Sequence, residues 1–181
     1  YKPLLMSYQT LYIDGLPAVR VRVSEREELK QLEPLEFAVF QGSIYFRPEK
    51  NRLPLDYNLA CSGCSVGITL YGVRNVVVQD LTIQGFQLDG VNFHDNVFDA
   101  AVVSITSRGN GRSGVSVGGA ARARIVASLL GSNAEAQFRS EGYSKTEIVN
   151  CELINDDTFA PDMVITGGTV VRDGKTMTVS K

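Results

Sequence analysis

Asp89, His94, Asp95, Arg112, Arg139 and Glu141 are the side chains whose types and spacing could do chemistry, since together they supply acid, base and cation. Two carboxylates of such a set could serve as acid and base in glycoside hydrolysis. An Arg or His could instead abstract a sugar proton in an elimination, with carboxylates holding calcium against a uronate. Asp89, His94, Asp95, Arg139 and Glu141 are therefore the candidate catalytic residues, and Asn92, Arg112, Ser116 and Gln137 the candidate substrate-binding neighbours. No resident cofactor is expected, and calcium is the one ion these carboxylates would suit. Cys61-Ser-Gly-Cys64 has the spacing of redox and zinc sites, but zinc needs two more ligands and only Cys151 and the lone His94 remain. It reads as a loop with two small residues. An odd set of three cysteines implies no disulfide framework, although a Cys61–Cys64 bridge is compatible with export.

Residues so far apart in sequence form one site only if a repeat brings them together, and from residue 66 onward there is one. Gly67-Ile-Thr-Leu70, Gly90-Val-Asn-Phe93, Gly114-Val-Ser-Val117, Glu135-Ala-Gln-Phe138 and Asp162-Met-Val-Ile165 share a turn residue followed by alternating apolar and polar positions. Aligned on Ile68, Val91, Val115, Ala136 and Met163, the steps are 23, 24, 21 and 27 residues. A second apolar stretch lies within each period: Val76–Ile83, Ala101–Ile105, Ala123–Leu129 and Glu147–Leu153. These stretches are rich in β-branched residues and too short for helices, so each is expected to be a strand. Gly, Asn and Asp punctuate them at turns. Short strands at a constant period cannot each bury an apolar face alone, so successive coils must stack into a β-solenoid. Asn75, Asn133 and Asn150 are expected to stack in internal amide ladders, and Cys151 to lie in the interior as a small hydrophobe. Thr69, Asn92, His94, Ser116, Gln137 and Arg139 should then face outward from the first-strand sheet.

Val73–Gly85 followed by Leu88-Asp-Gly-Val91, and Ile148-Val-Asn-Cys-Glu-Leu-Ile-Asn155, resemble the coil text of right-handed parallel β-helix proteins of the pectin-lyase-like kind. The resemblance spans roughly residues 66 to 166. It implies an all-β, single-stranded right-handed parallel β-helix of about four to five coils, binding or processing a polysaccharide or oligosaccharide in a groove along the first-strand face. It also implies a secreted or cell-surface setting. The Asn-Thr-Asp, Gly-His-Gly and Arg-Ile-Lys motifs of polygalacturonases and the Trp-containing phrase of pectate lyases are missing, and Asp156-Asp157 stands on the wrong side of its coil. A non-catalytic binding or structural module of a larger surface protein is therefore the alternative, and a partner-binding surface on the N-terminal hairpins a third reading. Tyr143, Phe98 and Phe86 are the candidate sugar platforms.

Residues 1–65 read as a strand-helix-hairpin segment packing on or capping the solenoid of residues 66–181. Leu11–Val23 should form two strands around Asp14-Gly15, and Ser24-Glu-Arg-Glu27 is a capping box opening a short helix that Pro34 ends. Phe37–Phe46 should form a hairpin around Gln41-Gly42, and Thr169–Val179 another around Asp173-Gly174. With 18 basic and 20 acidic residues, a net charge of −2 and no basic stripe, nucleic acid is excluded as a partner. No apolar run reaches the roughly 20 residues of a membrane-spanning helix. The chain opens at Tyr1 directly in strand-like sequence, as a trimmed piece of something longer would.

Overall fold

The computed structural model describes residues 10–155 and 160–178. From Ile68 onward the chain winds into a parallel β-solenoid of about four turns. Each of the first four coils contributes one strand to each of three parallel sheets, and a fifth contributes to the first two. The first sheet holds Ile68–Leu70, Asp89–His94, Ser113–Gly118, Ala136–Ser140 and Met163–Ile165. The second holds Val77–Gln79, Ala100–Val103, Arg122–Val126, Lys145–Val149 and Thr169–Arg172, and the third Thr82–Gln84, Thr106–Arg108, Leu129–Gly131 and Glu152–Ile154.

The second apolar stretch of each period is thus two strands, not one. Asp80, Ser104, Ala127 and Asn150 break it, each with φ between 48° and 56°, and a single left-handed residue turns the chain through a corner. The amide of each of the first three donates to the next coil: Asp80 to Val103 at 3.2 Å, Ser104 to Val126 at 3.0 Å and Ala127 to Val149 at 3.0 Å. Apolar periodicity could not show this break, because a one-residue corner leaves inward residues on both of its sides.

The interior follows from the register. Ile68, Val91, Val115, Phe138 and Met163 form one ladder and Leu70, Phe93, Val117, Ser140 and Ile165 the next. Phe138, not Ala136, therefore stands opposite Val115, and the steps become 23, 24, 23 and 25 residues. Ala136 pairs with Ser113. The two-residue error arises because Ala-Gln-Phe and Phe-Arg-Ser both alternate, and pattern alone does not choose between them. In the second sheet Val78, Val102, Ile125 and Ile148 stack inward, and Ile83, Ser107, Leu130 and Leu153 do so in the third. No helix among the described residues is long and apolar enough to cross a membrane.

An amide ladder fills the corner leading from the third sheet back to the first. Asn110 Nδ2 donates to Asn133 Oδ1 at 2.9 Å, Asn133 Nδ2 donates to Gln137 Oε1 at 3.0 Å, and the Phe86 and Asn110 backbone amides bond to the same stack. Asn133 takes the expected place, but Asn75 and Asn150 are exposed left-handed corner residues instead. Gly90 belongs to this corner. A Cβ there would lie 2.0 Å from Ser107 Oγ and 2.9 Å from Asn110 Nδ2, so only glycine lets the strand approach the stack. Cys151 is interior as expected, accepting from the Ser128 amide at 3.5 Å, and burial pushes its thiol pKa up.

Leu11–Ile13 and Leu16–Pro17 form a hairpin through Asp14 and Gly15, Glu36–Phe40 and Ser43–Phe46 a second through Gln41 and Gly42, and Thr169–Arg172 and Lys175–Thr176 a third through Asp173 and Gly174. All six turn residues have positive φ, as two-residue hairpin turns with matching twist require. Val179 and Asp156-Asp157 lie outside the described residues. The short helix is a 3-10 turn at Arg26–Gln31, and its box is set one residue later than expected. Glu28, not Glu27, accepts from the Ser24 amide at 2.6 Å and the Glu25 amide at 3.2 Å. Residues of the N-terminal segment touch the coils at named points: the Tyr12 hydroxyl donates to the Gly109 carbonyl at 3.0 Å, Arg22 pairs with Glu135 at 3.4 Å, and Gln87 Nε2 donates to the Ser62 carbonyl at 3.0 Å.

Candidate functional site

On the outward face of the first sheet one column runs Thr69, Asn92, Ser116, Arg139, Val164, at the strand spacing of about 4.8 Å. Asn92 and Arg139 are partly exposed, whereas Ser116 is only 3% exposed between them. Arg139 is already engaged, because its Nη2 donates to Glu141 Oε1 at 2.6 Å and its Nε at 3.2 Å. His94 lies at the end of its strand opposite Gly118, and its ring stacks on Tyr71 with centroids 5.8 Å apart and planes at 26°.

Two of the candidate site residues, one expected to face outward and one expected in the turn before its strand, are interior. Gln137 is fully buried in the amide ladder, bonded to Asn133, so it cannot meet a ligand on this face. Its position follows from the corrected register, which makes Gln137 a corner residue opposite Gly114. Asp89 is also fully buried. Arg112 grips both of its carboxylate oxygens, through Nε to Oδ1 at 2.9 Å and through Nη2 to Oδ2, and Ser113 Oγ donates to Oδ1 at 2.6 Å. A carboxylate taken out of water needs this pairing, and the pair locks the start of two consecutive first-sheet strands.

Asp95 does corner work. At φ 54° its Oδ1 accepts from the Asn96 amide at 3.1 Å and the Ala120 amide at 3.3 Å. Asp89 and Asp95 therefore stand at opposite ends of one strand, roughly 20 Å apart by strand rise. Glu141 is two coils on from Asp95, roughly 10 Å by coil spacing, and bound to Arg139. The sheet brings Asn92, Ser116 and Arg139 into one column with His94 and Glu141 beside it, and it keeps Asp89 with Arg112 apart from them. Among the described residues no group of three or more His, Cys, Asp and Glu is placed to hold a metal ion.

Two features escaped sequence reasoning. Tyr71, 62% exposed, precedes His94 by one 23-residue step, a spacing that would have revealed the ring pair once the register was fixed. The other is a concavity of about 650 Å3 on the outward face of the second sheet, lined by residues including Val77, Ala101, Arg122, Arg124, Lys145 and Glu147. Its signal is the alternation Arg122-Ala-Arg124 and Lys145-Thr-Glu147, with the charged residues outward and the small ones inward.

Fold and face together define a parallel β-solenoid with a polar outward column along one sheet. The chain matches no family model, and no curated protein or solved structure shows significant similarity to it.

Proposed function

We propose that this chain is a glycan-binding solenoid of the right-handed, pectin-lyase-like kind, exported or surface-borne, that engages an oligosaccharide along its first-strand face without cleaving it. Parallel crossovers are overwhelmingly right-handed, which supports the handedness. The observation that carries the reading is the exposed Tyr71 ring beside Thr69 and Asn92, which stand one coil apart on this face. Polar groups repeating at coil spacing suit the hydroxyls of an extended sugar chain, and an exposed tyrosine offers a face on which a pyranose stacks. Tyr143, 89% exposed, offers a second ring in the fourth coil. The binding reading is favoured over processing because the carboxylates that cleavage would need are committed elsewhere: Asp89 to Arg112, Asp95 to a corner, Glu141 to Arg139.

A panel of neutral and uronate-containing oligosaccharides tests this, with binding followed by calorimetry and cleavage by reducing ends and unsaturated products. Binding weakened at least tenfold by Tyr71→Ala and by Asn92→Ala, with no product released, is the expected result. Product formation that disappears in Glu141→Gln would make the protein an enzyme instead. Silence across the whole panel would remove the glycan altogether.

A further inference from the structure

The second sheet carries a groove of its own. Because Ala100 pairs with Ala123, and Ala123 with Thr146, the preceding residues Asp99, Arg122 and Lys145 form one outward ridge that continues to Thr169. A second ridge runs Val77, Ala101, Arg124, Glu147, Val171. Between the two ridges lie Ala100, Ala123, Thr146 and Val170, whose side chains turn inward, so the floor is backbone and inward-turned side chain. The result is a trough of about 650 Å3 along the solenoid axis. From the coil of Val77 to that of Val171 it spans four strand spacings, roughly 19 Å.

Charge is not evenly spread over this face. Arg122, Arg124 and Lys145 line the trough, and Arg74 sits beside it with its guanidinium 4.6 Å from the centre of the Phe98 ring, which Arg122 also approaches at 5.5 Å. Against these four cations stand Asp99 and Glu147, and Glu147 is paired with Arg124 at 2.7 Å. The middle of the trough is thus cationic in a chain whose formal net charge is −2. Arg122 and Lys145 stand one coil apart on the same ridge, across from the paired Arg124 and Glu147, with Val77, Ala101 and Val171 on the other ridge in the coils to either side.

We propose that this trough is a second binding site, on a different face from the one proposed above, for an extended glycan bearing carboxylate or sulfate groups. Arg122 and Lys145 meet the acidic groups, and Val77, Ala101 and Val171 in the flanking coils meet the apolar CH faces of the sugar rings. The floor is a sheet face whose backbone groups are already spent on parallel pairing, so an extended peptide finds no ladder to join, whereas a glycan needs none. A pyranose unit is close in length to the coil spacing, which lets successive acidic groups meet successive coils.

The probes are polygalacturonate and dextran sulfate, with neutral dextran and poly-glutamate as controls, measured by calorimetry or biolayer interferometry over a salt series. Binding of one or both anionic glycans is expected, weakening as salt rises. The double variant Arg122→Ala/Lys145→Ala should lose at least tenfold in affinity, with thermal unfolding of this surface variant unchanged. Tyr71→Ala on the first sheet should leave this binding intact, which separates failure of the two sites. Dextran sulfate binding without polygalacturonate assigns sulfate, and the reverse assigns carboxylate. Three results would overturn the proposal: no binding of either anionic glycan, binding indifferent to the double variant, or equally tight binding of poly-glutamate.

Discussion

Thr146 sits inward in the second sheet between Ala123 and Val170, 3% exposed, and its hydroxyl has no hydrogen-bond partner among the described residues. A buried hydroxyl without a partner forfeits its hydration, whereas valine of nearly the same shape does not. Thr146→Val is therefore expected to stabilise the protein by about 1 kcal/mol in urea unfolding, and a loss of stability would show that the hydroxyl is satisfied after all. Asp89 is the opposite case. Its carboxylate is held by Arg112 and Ser113, so one of the five candidate catalytic residues is a buried fastener. Sequence could not distinguish the two roles, because Asp-Gly before a strand is equally good text for an exposed turn and for a covered ion pair. Arg112, 23 residues on, carried the clue, but only a fixed register makes that spacing a contact.

The corners are the elements that decide the path of the chain, and they were unevenly legible. Those at Gly85, Gly109 and Gly119 stood out in the sequence, although Asp80 and Asn150 lay inside stretches expected to be single strands. Ser104 and Ala127 did not stand out, because nothing in their side chains announces a left-handed backbone. The column Asp80, Ser104, Ala127, Asn150, Asp173 imposes that conformation by stacking, each residue 23 or 24 after the last. A Cβ in this region costs roughly 1–2 kcal/mol, which is partly offset in glycine by its freer unfolded chain. Ala127→Gly should accordingly raise the unfolding free energy by up to about 1 kcal/mol. The same substitution at Ala123, which sits in regular strand, should lower it. A similar logic explains the misplaced ladder in the fourth coil. Stacking was legible from Val91, Val115 and Met163, but the amide ladder through Asn133 and Gln137 set the register there, and a polar interior leaves no apolar stripe to count.

For the molecule as a whole, the contact of Tyr12 with the coils supplies a pH signature. Burial pushes the Tyr12 hydroxyl up from its ordinary 10.0 to about 12, against an opposing pull from Arg108. The neutral phenol donates to Gly109, and a phenolate cannot. A raised folded-state value means that the contribution is complete below the unfolded value of 10.0 and disappears as pH climbs through about 12. Thermal stability should therefore fall between pH 10 and pH 12, and Tyr12→Phe should flatten that part of the profile. An unchanged slope in the variant would place the sensitive group elsewhere. The parallel register has a mechanical consequence as well. Each coil is paired only with the ones above and below it, so pulling on the two ends would not rupture the solenoid all at once. It would unspool one winding at a time, and each event would release the 23 or 24 residues of a single turn, about 80 Å of extended chain.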